Sequence, residues 1–197
     1  MNCIDTMKLR RSRYSLSNRL PVSEQDLQAL IAQCLLQAPS AFNSQSARIL
    51  LLLGEKHKQF WQLVRESLQA VVPADKFAPT DGKISSFAAA YGTILYYDDT
   101  DTVLHLQEQF PAYKDNFPIW AQQANGMLQF AIWTAFAEAG VGASLQHYNP
   151  LIDEKVRVAF DVAASWRLVA QMPFGQPVAP AQEKTYLPLE QRLRIER

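Results

Sequence analysis

The chain has 197 residues, of which 48% are hydrophobic and 19% are charged, so its composition excludes a disordered protein and predicts a globular one. Its 19 basic and 19 acidic residues balance, which argues against nucleic-acid binding because that function needs a basic face. The longest apolar region is too short to span a bilayer, so no membrane contact is expected.

The N-terminal segment, MNCIDTMKLRRSR, lacks the apolar core of a signal peptide. The two cysteines, Cys3 and Cys34, form no C-x-x-C motif, so we expect neither a disulfide framework nor a structural zinc site. A cytoplasmic location is therefore expected. Residues 8–15, KLRRSRYS, carry four basic side chains. They form either a solvated arm or a clamp for a phosphate, which Arg can bind through two parallel hydrogen bonds.

The first predicted helix begins after Ser23, which can cap it, and ends before Pro39. The i, i+3, i+4 spacing predicts a buried face made of Leu27, Leu30, Ile31, Cys34 and Leu35. The loop that follows, PSAFNSQS, offers hydroxyl and amide groups that suit the edge of a heterocycle, although an Asx-type turn uses the same residue types. These groups belong to Ser40, Asn43 and Gln45.

A strand is predicted over residues 48–54 and a helix over residues 55–72. Residues 73–83 contain Pro, Asp and Gly and are interpreted as a surface excursion. Residues 91–99 have the β-branched and aromatic composition of a strand. His57 and His105 are expected to be exposed on charged helices, and the three histidines are too widely scattered to predict a metal site.

The longest predicted helix covers residues 115–140 and ends at Gly140. Because residues 127–137 are apolar on nearly every side, we expect complete burial, which favours a dimer interface. A second helix is predicted over residues 150–160, with Asn149 as N-cap and Pro150 in the first turn. Residues 166–175 form a predicted strand. These elements indicate an α+β fold, followed by a Pro-rich, charged tail over residues 176–197 that is either loose or wrapped over another surface.

The stretch GVGASLQHYNP, residues 140–150, joins the two helices. It is not a dinucleotide loop, because Leu145 stands where the third glycine is needed and a helix precedes it. Ser144 lacks the G-x-S-x-G elbow of a hydrolase, and His147 is interpreted as structural in preference to catalytic. Gln146 and His147 lie just before a predicted helix N-terminus, where backbone N–H groups favour an anionic or electron-rich ligand.

In order and spacing, these motifs resemble those of the FMN-dependent nitroreductase family. They are Arg10-Arg11-Ser12, Pro39-Ser40-Ala41-Phe42-Asn43-Ser44-Gln45, a long central helix, Gly140-Val141-Gly142-Ala143-Ser144, and Lys184. GASLQHYNP and MPFGQP are similar to the short branch that includes yeast-type fatty-acid-repression proteins and their bacterial relatives. The resemblance implies a flavoprotein fold with a central, mainly antiparallel sheet flanked by helices, formed by a single domain over residues 1–197. It also implies an intertwined homodimer with FMN at the interface and residues 176–197 wrapped onto the partner chain.

By position, the resemblance assigns the phosphate end of FMN to Arg10, Arg11, Ser12 and Lys184. Tyr14 stands beside them, where the family often has a second basic residue. The position two residues after Lys184, commonly Arg in the family, is a tyrosine in this chain.

Two loops would contact the flavin ring. The first supplies Ser40, Asn43 and Gln45, from the partner chain or from the same cleft. In the second, Ser144 and Leu145 line the cofactor, and the backbone N–H groups of Gln146 and His147 lie over flavin N5 and the pyrimidine edge. No catalytic side chain is assigned, and His147 is the single candidate.

The implied function is a ping-pong oxidoreductase in which NADH or NADPH reduces FMN and leaves, and a nitroaromatic, quinone or similar acceptor then takes two electrons. The alternative is a flavin-binding sensor or regulator of a lipid or redox response with little turnover. A flavin-free interaction module is a third hypothesis. Gln146-His147 replaces the acidic or small residue usual beside N5, so the sequence leaves open the acceptor and the choice between NADH and NADPH.

Overall fold

One antiparallel sheet organises the computed structural model, which describes residues 2–197. Its strands are β1 Leu16–Ser17, β2 Ala47–Leu53, β3 Gly92–Asp99, β4 Gly142–Ala143 and β5 Trp166–Pro177. The order across the sheet is β1-β5-β3-β2, and β4 also pairs with β5. Because these pairings are antiparallel, the predicted type of sheet is confirmed.

Helices lie on both faces of this sheet. They are α1 Cys3–Leu9, α2 Glu24–Gln37, α3 Gly54–Gln69, α4 Phe77–Ala88, α5 Thr100–Gln109, α6 Phe117–Glu138 and α7 Asp153–Ala159. Short 3₁₀ turns occur at Ala41–Asn43, Ala74–Lys76, Pro111–Tyr113 and Leu189–Gln191. Within residues 2–197, none of the helices is long and apolar enough to cross a membrane.

The central strand β3 separates two hydrophobic cores. Its side chains alternate between the faces of the sheet, as the period of a strand requires. Ile94 and Tyr96 pack on one face with apolar residues of α2 and α6. Leu95 and Tyr97 pack on the other face with residues of α3, α4 and α7. This arrangement confirms the predicted α+β class.

The long helix α6 buries one face rather than its whole circumference. Leu128, Ile132 and Phe136 are fully buried at four-residue intervals. Met127 and Phe130, on another side of the helix, are 44% and 41% exposed. A single chain therefore does not bury residues 127–137 completely, and one apolar side of α6 remains open to solvent. The predicted burial of this side in a dimer interface stays a prediction.

Two helices differ from the sequence-based expectation at the start of the chain and after residue 73. The N-terminal segment forms α1, whose Asn2 cap accepts a hydrogen bond from the Asp5 amide. Residues 73–83 lie at the surface as predicted, but most of them belong to α4 and do not form an irregular excursion. Pro79 is tolerated there since it lies in the first turn, where N–H groups have no acceptor within the helix. Ser23 caps α2 as predicted and accepts a hydrogen bond from the Asp26 amide.

His57 is buried rather than exposed, which corrects the prediction for this residue. Its Nε2 lies 3.1 Å from the Ala88 carbonyl oxygen, which can only accept, so Nε2 carries the hydrogen of the neutral ring. Its Nδ1 then accepts from the Thr93 hydroxyl at 2.9 Å. The Trp61 N–H donates to the same hydroxyl. His105, by contrast, is exposed as predicted.

Candidate functional site

A basic pocket of about 370 Å³ lies between the N-terminal segment and the C-terminal tail. Arg11 joins the two segments by donating a hydrogen bond to the Gln182 carbonyl oxygen. The structure thus brings together the four residues that the resemblance assigned to the phosphate end of a cofactor, Arg10, Arg11, Ser12 and Lys184, and places Tyr14 beside them. Gln182, Glu183 and Thr185 complete the lining.

Arg10 is held in place by the ring of Trp133 on α6. Its guanidinium carbon lies 4.4 Å from the ring centroid, a cation–π contact. Burial and the neighbouring Arg11 charge lower the pKa of Arg10. Arg nevertheless remains protonated in proteins, so two guanidinium groups lie side by side at this pocket, an arrangement that favours an anionic ligand.

The basic segment adjoins the turn between α6 and α7. Ser12 forms a parallel bridge with Ala143, and the Arg13 N–H donates to the Ala143 carbonyl oxygen at 2.9 Å. Gly142 allows this close approach, because a Cβ at that position would lie 3.1 Å from the Arg13 Cβ. The two regions singled out from the sequence are therefore neighbours.

The turn itself is held by strand β5. The Gln146 N–H donates to the Gln171 carbonyl oxygen at 2.7 Å, and the Gln171 N–H donates to the Gln146 carbonyl oxygen at 2.9 Å. The Gln146 amide is therefore already paired with the strand, and the flavin contact predicted for it stays a prediction. Ser144 is buried and accepts a hydrogen bond from the Gln146 side chain. Leu145 is partly buried against the core.

His147 is exposed in this turn, between the buried Gln146 and the partly buried Tyr148. Its backbone N–H has no acceptor among residues 2–197, whereas the Tyr148 N–H donates to the Gln171 side-chain oxygen at 2.8 Å. The His147 amide thus remains available for the predicted contact with an electron-rich ligand edge.

Helix α7 begins later than predicted. Its first residue is Asp153 and its N-cap is Ile152, so the predictions of Asn149 as N-cap and of Pro150 in the first turn are wrong. The Asn149 side-chain oxygen lies 3.4 Å from the Gln171 Nε2, which donates to it. The positive end of the α7 dipole therefore does not lie directly after His147. The His147 N–H stands out for another reason: the N–H groups of Gln146 and Tyr148, on either side of it, are already paired.

The loop at residues 40–45 is self-contained and tightly wound. The Gln45 N–H donates to the Ser40 hydroxyl at 3.0 Å, and the Gln45 side chain donates to the Asn43 carbonyl oxygen at 3.3 Å. Phe42, Asn43 and Gln45 have φ angles of 55°, 51° and 50°. Such values are uncommon outside glycine, above all for a bulky residue, so the surrounding contacts must hold this loop.

Arg48 anchors the loop to the sheet. It donates to the Gln45 carbonyl oxygen at 2.5 Å and to the Asp99 carboxylate at 2.7 Å. Burial raises the pKa of Asp99, but hydrogen bonds from Ser165 and Thr102 and the Arg48 charge outweigh it, so the pKa lies below its ordinary value. The carboxylate is therefore charged at neutral pH and keeps Arg48 in place.

Within one chain, this loop does not join the basic pocket. Ser40 and Gln45 line a different cavity, of about 230 Å³, with apolar residues of α2 and α6. The two linings share no residue. Asn43 lines neither of them and is exposed.

A cluster of aromatic rings surrounds Phe42, which sequence reasoning did not identify. The Phe42 ring centroid lies 4.8 to 6.1 Å from those of Phe110, Tyr113, Phe117 and Trp120. Phe42 is itself 51% exposed. A partly exposed group of rings beside a loop of polar groups can stack against a planar ligand.

Known proteins are similar to this chain in sequence and fold. The profile of the Nitroreductase family matches residues 7–176. HBN1 of Saccharomyces cerevisiae is 34% identical to this chain over 93% of the chain and 92% of its own length. Nitroreductase FRM2 of the same organism is 33% identical over 94% of the chain and 93% of its own length. The nitroreductase CinD from Lactococcus lactis, in complex with chloramphenicol, is 40% identical with a TM-score of 0.92, and both chains are covered over 100% of their lengths. CinD is also known in complex with 4-nitrophenol.

Proposed function

Because the chain belongs to the nitroreductase family, we propose that it is an FMN-dependent oxidoreductase that passes two electrons from NADH or NADPH to a small aromatic or quinone-like acceptor. The order is ping-pong, so the oxidised nicotinamide leaves before the acceptor binds. The whole chain, residues 1–197, acts as one domain of this enzyme.

The observation that carries the proposal is the basic pocket. Its lining contains three cationic side chains, those of Arg10, Arg11 and Lys184, and one anionic side chain, that of Glu183. This excess of positive charge attracts a phosphate group, which itself carries close to two negative charges. Guanidinium groups pair with phosphate oxygens through parallel hydrogen bonds, and the Ser12 hydroxyl adds a further donor. This donor set fits the phosphate end of FMN.

When bound, FMN supplies the electron-transfer chemistry, while the protein binds and orients it. The basic pocket holds the phosphate. The His147 N–H presents a donor to an electron-rich edge of the ring system, and Leu145 offers an apolar contact beside it. This chemistry requires no nucleophilic side chain, so His147 acts through its backbone.

The acceptor is proposed to be small, planar and aromatic. CinD, at 40% identity, is known in complex with chloramphenicol, and its complex with 4-nitrophenol is 39% identical to this chain. In this chain, the exposed Phe42 ring and its aromatic neighbours offer surface for stacking. These rings lie beside the polar groups of the 40–45 loop.

We infer a homodimer for two reasons. Within one chain the 40–45 loop lies apart from the basic pocket, and large apolar side chains are exposed. The 40–45 loop would complete the basic pocket of the partner chain. Exposed large apolar side chains occur on α1 and α6 and in the tail, and a partner chain that covered them would bury apolar surface. They include Ile4, Met7, Ile119, Phe130, Tyr186, Leu189 and Ile195. The tail, residues 176–197, would lie on the partner, and the free thiols of Cys3 and Cys34 are compatible with the cytoplasm.

The test is steady-state kinetics with FMN-loaded protein, NADH or NADPH, and either 4-nitrobenzoate or menadione as acceptor. We expect nicotinamide oxidation that depends on the acceptor, with parallel double-reciprocal lines. Protein that remains colourless after incubation with FMN would contradict the proposal. Protein that binds FMN and shows no turnover with any of these pairs would instead support a flavin-binding sensor.

A further inference from the structure

The guanidinium of Arg10 is held differently from those of Arg11 and Arg13. These two side chains each donate a hydrogen bond to a backbone carbonyl oxygen of the tail. Within residues 2–197, the Arg10 guanidinium donates no hydrogen bond and forms no salt bridge, and it lies over the ring of Trp133, 4.4 Å from the centroid. Because a ring face offers no lone pair, this contact leaves the N–H groups of Arg10 free to bind a ligand in the basic pocket that Arg10 lines.

Both ends of the Arg10 side chain are thereby fixed. Its backbone ends α1, where the Arg10 N–H donates to the Thr6 carbonyl oxygen at 3.1 Å. Trp133 belongs to α6, and its ring packs against the core that contains Leu128 and Phe136. A long side chain loses conformational entropy when a ligand immobilises it, so a ring that already holds the guanidinium lowers this cost of binding.

The ring face of Trp133, rather than its polar atom, is the part that matters for this contact. The indole nitrogen is buried and has no hydrogen-bond partner in the part of the chain that the structure describes. Trp133 does not line the basic pocket but a neighbouring cavity of about 140 Å³, together with Arg11 and Arg13. An effect of Trp133 on a ligand in the basic pocket therefore passes through Arg10.

We propose that Trp133 is a positioning residue for the phosphate of the cofactor: its ring face holds the Arg10 guanidinium at the basic pocket before the ligand arrives and thereby favours ligands that carry a phosphate. This inference rests on the proposed function, since it takes FMN as the ligand. Burial and the Arg11 charge disfavour the charged form of Arg10 and lower its pKa. The negative face of the ring offsets part of this cost.

The experiment compares Trp133→Leu with Trp133→Phe. Leucine removes the aromatic ring, whereas phenylalanine keeps a ring face and lacks the indole N–H. Trp166→Leu is the matched control, because Trp166 is a partly buried tryptophan whose ring packs against Tyr97 in the core on the other face of the sheet.

Titration of the FMN-free variants with FMN and with riboflavin separates positioning from a general structural role. Trp133→Leu should weaken FMN binding roughly 3- to 30-fold, the range of a partly desolvated cation–π contact, and leave riboflavin binding near wild type. Trp133→Phe should retain most of the FMN affinity, and Trp166→Leu should bind both ligands as the wild type does. A variant that only loosens the fold or a dimer weakens both ligands alike, so equal losses in Trp133→Leu overturn the inference.

A double-mutant cycle with Arg10→Ala tests whether the ring acts through Arg10. In the Arg10→Ala background, Trp133→Leu should cause no further loss of FMN affinity. A loss as large as the one in the wild-type background overturns the positioning role while leaving the proposed function intact.

Proton NMR of the FMN-free protein tests whether Arg10 is held before a ligand binds. Protons above an aromatic ring are shielded, so the side-chain resonances of Arg10, assigned with Arg10→Ala, should lie upfield in the wild type and return to ordinary values in Trp133→Leu. Ordinary values in the wild type overturn the inference alone. Failure of the wild-type chain to bind FMN overturns the proposed function and this inference together.

Discussion

Replacing Arg11 by alanine tests whether the basic pocket holds a phosphate. The Arg11 guanidinium lines the pocket and is held by its hydrogen bond to the Gln182 carbonyl oxygen. A charge-assisted hydrogen bond contributes about 1–3 kcal/mol to binding. Since a tenfold change in affinity corresponds to about 1.4 kcal/mol, Arg11→Ala should weaken FMN binding roughly 5- to 150-fold.

The assay is titration of the FMN-free protein with FMN and, separately, with riboflavin, which lacks the phosphate. We expect Arg11→Ala to weaken FMN binding and to leave riboflavin binding nearly unchanged. Arg13→Ala is the control variant, because Arg13 contacts the tail at the Ala179 carbonyl oxygen and does not line this pocket. Equal losses for both ligands, or equal losses in both variants, would refute a phosphate contact at Arg11.

Three further predictions concern stability and assembly. Burial is the largest cause that lowers the pKa of His57, and the Lys58 charge adds to it, although the hydrogen bond to Ala88 raises the pKa. As the pH falls, the unfolded chain therefore takes up a proton at this residue before the folded chain does. Urea unfolding should show that the free energy of unfolding falls as the pH drops below about 6.5 in the wild type but not in His57→Gln. Gly175→Ala would place a Cβ against the Ser17 carbonyl oxygen and 3.0 Å from the Tyr91 nitrogen, so unfolding free energy should fall by about 1–3 kcal/mol, whereas Gly82→Ala in α4, with no atom within 4 Å, should raise it by up to about 1 kcal/mol. Deletion of residues 186–197 removes exposed apolar side chains of the tail and should weaken the dimer at least roughly tenfold in sedimentation experiments; unchanged association would place the tail away from the partner.

Local patterns in the sequence predicted the regular elements well where tertiary packing agreed with them. The strand at β2 and the helix at α2 follow from a short apolar run and from a cap with an apolar stripe. Helix α4 was missed because Pro79 and Gly82 argue against a helix, while the burial of Ile84 and Phe87 outweighs both. A usable signal was present for His57, since it shares helical spacing with the buried residues Phe60, Trp61 and Val64.

The site was predicted as a set of residues but not as an arrangement. Arg11 and Gln182 meet across 171 positions of sequence, and no local pattern encodes such a contact. The left-handed conformation of Phe42 opposes its intrinsic preference and depends on surrounding contacts. Gln171 was overlooked, although a single amide within the apolar run of β5 is a signal that a buried polar group needs partners.

If this chain passes electrons through FMN, anaerobic stopped-flow absorbance will show the flavin being reduced and reoxidised. FMN-loaded protein is mixed with NADH or NADPH, and the flavin band near 450 nm is followed before and after addition of 4-nitrobenzoate or menadione. We expect bleaching within seconds by at least one nicotinamide and recovery of the band only after the acceptor is added. A flavin band that stays unchanged with both nicotinamides would contradict it.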